Sequence, residues 1–190
     1  SPYGEDCRSC WTVPENYRLV GIDAAQLELR MLAHYLNDKD YTNEILNGDI
    51  HTTNQRLAEL ESRDKAKTFI YALLYGAGDA KLGSVVGRGR AVGKGLRQRF
   101  FDNLPAFKKL TDRVQREAKS GFIKALDGRK LTVRSEHAAL NTLLQGAGAI
   151  VMKKALIILN EKITRHGWDA KFVANVHDEW QIECYVDDAV

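Results

Sequence analysis

Two aspartates and one row of cationic and aromatic residues have the types and spacing to do chemistry. Asp23 follows Leu19-Val-Gly-Ile22, an apolar run of strand type, and precedes Ala24-Ala-Gln-Leu-Glu-Leu-Arg-Met-Leu-Ala-His-Tyr-Leu36, where apolar residues recur at helical spacing. A carboxylate at such a strand-to-helix junction is held rigidly yet faces solvent or a ligand; it also suits plain helix capping. Asp178 lies in His177-Asp178-Glu179 between two β-rich runs, which puts it on a hairpin tip. The row is Arg63, Lys67, Tyr71 and Tyr75, at intervals of four. On a helix, Arg63 to Tyr71 spans about 12 Å at roughly 1.5 Å per residue. That length suits a nucleoside triphosphate, with two cations on the phosphates and an aromatic ring at the sugar and base. The other reading is an amphipathic helix with a cationic outer face.

These residues need elements to position them. Leu19, Val20 and Ile22 read as a short buried strand. Asn47-Gly48 closes one helix and Asp49 opens the next, residues 50–60. Ala66, Phe69, Ile70, Leu73 and Leu74 make the apolar stripe of the helix that carries the cationic row, and Gly76 and Gly78 end it. Seven glycines between Gly76 and Gly95 invite a phosphate-loop reading, but Arg88 and Gly95 stand where a Walker loop needs Gly and Ser/Thr. These glycines are expected to set turns between short helices. Asp127-Gly128 between Phe122 and Val133 predicts a hairpin with a two-residue turn. A long helix follows from about residue 138 to 166, with Gly146 and Gly148 where another backbone approaches, and the chain ends in strand. The first seventeen residues are polar and turn-rich, with Arg8 as their candidate phosphate contact.

The 190 residues, 44% hydrophobic and 28% charged, can build one or two globular domains with a real core. No run of 18 apolar residues predicts a membrane helix. Three cysteines, including Cys7-Arg-Ser-Cys10, suggest a reducing compartment and plain thiols. The net charge of +3 is uneven: residues 81–116 hold ten Lys/Arg against two Asp/Glu, leaving 18 basic and 23 acidic residues elsewhere. So basic a block suits an anionic polymer, or else a solvated helical face.

Three segments, Asp23-x-x-Gln-x-Glu-Leu-Arg30, Arg63-x-x-x-Lys67-x-x-x-Tyr71-x-x-x-Tyr75-Gly76 and Val176-His177-Asp178-Glu179, resemble in order and content the polymerase motifs of the family A (DNA polymerase I-like) DNA polymerases. Asp49-Ile-His51, Leu126-Asp-Gly-Arg129 and Asn141-x-x-x-Gln145-Gly146 also match. Ser1-Pro-Tyr-Gly-Glu5 and Glu44-Ile-Leu-Asn-Gly-Asp-Ile-His51 are similar to the replicative polymerases of short-tailed bacteriophages. The resemblance covers essentially the whole chain. It implies an α+β fold: a right-hand palm with an antiparallel sheet at residues 1–29 and 125–190, and mostly helical fingers at 30–124. The thumb, any exonuclease domain and the end of the palm are expected to lie outside a partial chain. Processivity and any processivity factor on the thumb are then illegible, and the 190 residues alone are expected to extend primers poorly.

The resemblance implies a DNA-directed DNA polymerase that adds deoxynucleotides to a primer 3′-hydroxyl, in the cytoplasm of the host if phage-encoded. Asp23, Asp178 and the backbone carbonyl of Ala24 would hold two Mg²⁺ ions, which take hard oxygen ligands. Gln26, Glu28, His51, Arg63, Lys67, Tyr71 and Tyr75 would form the deoxynucleotide site, with Lys67 also a proton donor to pyrophosphate. Arg129, Asn141, Gln145 and His177 would contact primer–template DNA, and Arg30 and Glu179 would support the site. Without the motifs, His51 and His177 read as satisfied histidines. Ala24 and Ala25 depart from the Tyr-Ser common after the first Asp, and Tyr71 stands where many relatives have Phe. The competing readings are a metal-dependent phosphohydrolase built on His177-Asp178 and a non-catalytic DNA-binding module built on the basic block.

The sugar-facing pair gives a test. Glu28 lies five residues beyond Asp23, a little over one helical turn, so its side chain can reach back over the nucleotide, and a carboxylate at C2′ leaves no space for a 2′-hydroxyl. In the resembling family, Tyr at position 71 goes with easy use of dideoxynucleotides and Phe with their rejection, because the Tyr hydroxyl supplies the hydrogen bond that the missing 3′-hydroxyl would have made. The full-length enzyme should accept dideoxynucleotides readily and ribonucleotides poorly. Incorporation assays should show Tyr71→Phe restoring discrimination against the former and Glu28→Ala relaxing it against the latter. Unchanged dideoxynucleotide use in Tyr71→Phe removes Tyr71 from the sugar.

Overall fold

The computed structural model describes residues 4–189, without the side chains of Glu5 and Arg8; the phosphate contact assigned to Arg8 and most of the Ser1–Glu5 match fall outside the described residues. In chain order the elements are α1 (Gly4–Ser9), β1 (Tyr17–Asp23), α2 (Leu27–Leu36), α3 (Lys39–Asn47), α4 (Ile50–Ala58), α5 (Arg63–Leu74), α6 (Asp79–Ser84), α7 (Arg90–Asn103), α8 (Pro105–Ala118), β2 (Phe122–Lys124), β3 (Lys130–Thr132), α9 (Ala139–His166), β4 (Ala170–Val176) and β5 (Glu179–Tyr185). The fold is α+β, and the chain divides into two compact units, residues 1–27 with 149–190 and residues 28–148.

The first unit is built on an antiparallel sheet in the order β1-β5-β4. Burial along β5 alternates without a break, so Trp180, Ile182 and Cys184 face inward while Glu179, Gln181 and Glu183 face out. Met152 of α9 packs on Trp180 and Ile182, with Leu156, Leu159, Val20 and Phe172 around them. The sheet differs from expectation at β1. Val20 is half-buried, but Leu19 and Ile22 are 45% and 38% exposed. The reason is position: β1 is an edge strand, and Leu19 lies on the sheet face away from this core. Three further expectations are corrected. The lead-in contains a helix, α1, rather than turns alone. The described chain leaves β5 through a 3-10 turn at Val186–Asp188 rather than ending in strand. One turn with Leu27 N–H on the Ala24 carbonyl, and Gln26 in the left-handed region, delays α2 to Leu27.

The second unit is helical around one apolar core. α5 contributes Ala66, Phe69, Ile70, Leu73 and Leu74, the expected stripe, and Ser62 caps it through the Lys65 N–H. Phe69, Phe100 and Phe107 meet edge to face at the centre, a geometry aromatic rings favour. β2 and β3 pair Lys124 with Lys130, so the connection is five residues rather than the two-residue turn that Asp-Gly suggests. Gly128 donates to the Ala125 carbonyl and then adopts φ +86°, which inserts a bulge and moves the register by one.

α9 crosses from one unit to the other. With the 3-10 turn at Glu136–Ala138 it is the one stretch among the described residues long and apolar enough to cross a membrane, at a mean hydropathy of 1.5. A search for uninterrupted apolar runs misses it because polar residues punctuate it. Part of its apolar content is packed: Leu140, Leu143 and Leu144 enter the helical core, and Ala147, Met152 and Ile163 are buried, whereas Val151, Ile157 and Ile158 are exposed. Gly146 makes room for the Leu131 side chain, not for a backbone.

The glycines between residues 76 and 95 do more than set turns. Gly76 and Gly87 have positive φ, but Gly83 and Gly93 lie inside α6 and α7, where these helices meet backbone to backbone. A Cβ on Gly93 would stand 1.8 Å from the Asp79 carbonyl oxygen and 2.5 Å from the Gly83 nitrogen, while one on Gly95, in the same helix, meets only Arg99 Nη1 at 3.9 Å. Gly93→Ala should therefore cost more than about 3 kcal/mol or abolish folding. Gly95→Ala should be neutral or stabilising by up to about 1 kcal/mol. Urea unfolding of the two variants checks the contrast.

Candidate active site

The β1–β5 ladder pairs Asp23 with Glu179, the residue after Asp178. His177 and Asp178 form the two-residue tip between β4 and β5, and His177 takes φ +55° to make it. The Asp178 carbonyl accepts the Ala24 N–H at 2.9 Å, so the two aspartates, far apart in sequence, sit beside one another in the backbone. Directly paired residues share a face, which puts Asp23 with Glu179, away from Trp180 and Met152. Asp23 is exposed; Asp178 and Glu179 are half-buried. Gln181 donates a short hydrogen bond to the Glu179 carboxylate. Asp23 is not the N-cap of α2, because Ala24-Ala25-Gln26 intervene. Asp23 and Glu28 are therefore not one turn apart on a continuous helix, as their spacing suggests.

In the helical unit the cationic row lies on α5 as its spacing predicts. Lys67 is exposed, and Tyr71 is half-buried with its ring 6.3 Å from that of His51. His51, on the first turn of α4, is 5% exposed and its Nδ1 has no partner among the described residues. Burial, with the charges of Arg63 and Lys67, lowers its pKa, so it is neutral at pH 7. Arg63 is not open-handed. Its Nε and Nη2 donate to Asp49 at 2.6 and 3.1 Å, and the same carboxylate accepts from Thr52 Oγ1 and the His51 N–H. These bonds hold Asp49 well below the usual carboxylate range. The sequence motif flags Asp49 only as a helix opener; its ionic partner, fourteen residues on, carries no local signal.

Tyr75 joins two residues that the sequence assigns separately. Its hydroxyl donates to Glu28 Oε1 at 2.6 Å and is bonded to the side chain of Gln145. Asn141 lies one turn before Gln145 on α9. Arg129 is turned onto its own loop by Asp127, at 2.6 Å. Gln26 and Arg30 are exposed on either side of the start of α2, and His177 is exposed on the tip.

A family model described as DNA polymerase family A matches residues 1–189. The chain belongs to this family. It is 46% identical, over 97% of its length, to a DNA-directed DNA polymerase of Enterobacteria phage T3, and 47% identical over the same share to that of Escherichia phage T7, covering 31% of each. It is 34% identical to DNA polymerase I of Aquifex aeolicus over 94% of the chain and 34% of that protein. The chain thus spans about a third of the length of these relatives. The solved structure of the polymerase domain of Pol1 from M. smegmatis, in complex with DNA primer–template and dNTP, superposes with a TM-score of 0.85 at 25% identity, over 97% of this chain and 36% of that one.

Within this family A chain the sequence-assigned residues gather into three groups: Asp23, Ala24, Asp178 and Glu179 at the sheet tip; His51, Arg63, Lys67 and Tyr71 on α4 and α5; Glu28, Tyr75 and Gln145 around one hydroxyl. The last group is testable by titration. The hydrogen bond to Glu28, with burial and the Glu28 charge, pushes Tyr75 up to about 12, against an ordinary value of about 10. A raised pKa gives a contribution to stability that is whole below about pH 10 and is lost as the pH rises toward 12. At pH 11, Glu28→Ala should show about one more tyrosinate by absorbance than the parent. Equal tyrosinate in the two proteins would mean that Glu28 does not hold Tyr75.

Proposed function

We propose that this chain is the catalytic region of a DNA-directed DNA polymerase, adding deoxynucleotides to a primer 3′-hydroxyl. The observation that carries the reading is the β1–β5 register, which seats Asp178 next to Asp23 at the tip of an open sheet face. Residues 1–29 and 125–190 are read as palm and residues 30–124 as fingers.

The donors at the tip suit Mg²⁺. Two carboxylates and the Ala24 carbonyl are hard oxygens, and that carbonyl accepts a single long bond, from Leu27 N at 3.3 Å, which leaves a lone pair. Among the described residues no three His, Cys, Asp or Glu side chains gather into a metal cluster. When bound, the two ions supply activation of the nucleophile and charge neutralisation at the leaving group.

The chain's own residues carry the remaining roles. Arg63 and His51 bind the triphosphate. Lys67 Nζ donates a proton to an oxygen of the departing pyrophosphate, which answers charge that grows only in the transition state. Tyr71 packs against the sugar, and Glu28, fixed by Tyr75, walls off C2′. Arg129, Asn141, Gln145 and His177 meet the primer–template; Gln26, Arg30 and Glu179 support the site. The complexed relative, solved with primer–template and dNTP, supports these partners.

Primer extension with Mg²⁺ by the full-length enzyme tests the reading. Asp23→Ala and Asp178→Ala should each abolish nucleotide addition while DNA binding persists. Lys67→Ala should lower the maximal rate by about 10²-fold and change DNA affinity little. Weakened DNA binding at an unchanged rate would favour the non-catalytic binding module.

A further inference from the structure

The triphosphate reading leaves one residue unused, although it has more bonds than any other group near the cationic row. Both oxygens of Asp49 accept two hydrogen bonds each. Oδ2 takes Arg63 Nε at 2.6 Å and Thr52 Oγ1 at 2.8 Å; Oδ1 takes Arg63 Nη2 and the His51 N–H, both at 3.1 Å. One carboxylate therefore ties the first turn of α4, which carries His51, to the first residue of α5. We propose that Asp49 is a positioning residue of the triphosphate site. It acts through Arg63 and His51 and does not touch the nucleotide.

The donor count explains how. A guanidinium has five N–H groups in a fixed plane. Asp49 takes two on one edge, so three remain, and the plane can no longer rotate. An arginine half exposed to solvent is otherwise a rotamer-rich side chain, and ordering it on binding costs affinity. With Asp49 in place that cost falls on folding rather than on nucleotide binding. The same carboxylate offsets the charge of Arg63, so Arg63 directs the phosphates while Lys67, which has no ion-pair partner among the described residues, supplies the net attraction. His51 follows the same logic. Its backbone N–H is fixed by Asp49, and its buried Nδ1 is left without a partner among the described residues.

Asp49 also caps α4, and the two roles can be separated. Asn caps a helix as well as Asp does, so Asp49→Asn keeps the bond to the His51 N–H but loses the ionic fork to Arg63. Asp49→Ala loses both. Single-turnover incorporation by the full-length enzyme separates the apparent Kd for the deoxynucleotide from the maximal rate. This inference rests on the proposed function, so Arg63→Ala and Lys67→Ala accompany it.

Asp49→Asn is expected to raise the apparent Kd by about three- to tenfold, with the maximal rate within about twofold and thermal stability unchanged. Asp49→Ala should show the same weakening together with a lower melting temperature. An unchanged or lower Kd in Asp49→Asn, while Arg63→Ala weakens nucleotide binding, would overturn the positioning role and leave Asp49 a helix cap. If neither Arg63→Ala nor Lys67→Ala alters the Kd, the triphosphate reading itself fails, and the role of Asp49 with it.

Discussion

The antiparallel pairing of β1 with β5 is the constraint on which the candidate active site depends. Seven residue pairs, from Tyr17 with Tyr185 to Asp23 with Glu179, zip together segments from the two ends of the chain. Closing so long a loop costs entropy that grows slowly with length, and the apolar faces of the strands and α9 offset it. Each inward residue of β5 is buried, and that burial fixes which residues of the strand face out. The polar tip is thus placed by apolar packing on the other face of the same sheet.

In the helical unit the same division holds with different materials. α5 is anchored by its apolar stripe, and its opposite side is free to carry cations. What orients the charged side chains of this unit is polar: Asp49 orients the Arg63 guanidinium, and Tyr75 the Glu28 carboxylate. Exposed ion pairs add little to stability, and these contacts are partly exposed. Their value lies in geometry, since a side chain already held where a ligand needs it has less freedom to lose.

Much of this was legible in the sequence. The stripe of α5 is at helical spacing and all five of its expected residues are buried, because periodicity reports burial directly. The hairpin tip at His177-Asp178 follows from two β-rich runs around polar residues. The failures share a cause: local pattern does not encode tertiary partners. Leu19 and Ile22 read as buried because apolar strands usually are, yet an edge strand has one neighbour. Asp127-Gly128 reads as a two-residue turn, but the Gly128 bulge shifts the pairing. Gly83 and Gly93 read as turn formers, whereas each clears space for the other's helix. The bonds of Tyr75 to Glu28 and Gln145 join residues that matching motifs list apart, and no spacing rule connects them.

The two-residue tip between β4 and β5 has a consequence for how this sequence can drift. Strand side chains alternate with a period of two, so one inserted or deleted residue at the tip would exchange the two faces of β5. Glu179, Gln181 and Glu183 would turn toward Met152, and Trp180, Ile182 and Cys184 would turn to water. Such a change would be rejected as a folding defect before any effect on chemistry was felt. The length of the loop that presents Asp178 is therefore policed by the hydrophobic core, and selection for a stable sheet preserves the spacing of a carboxylate that the core never touches.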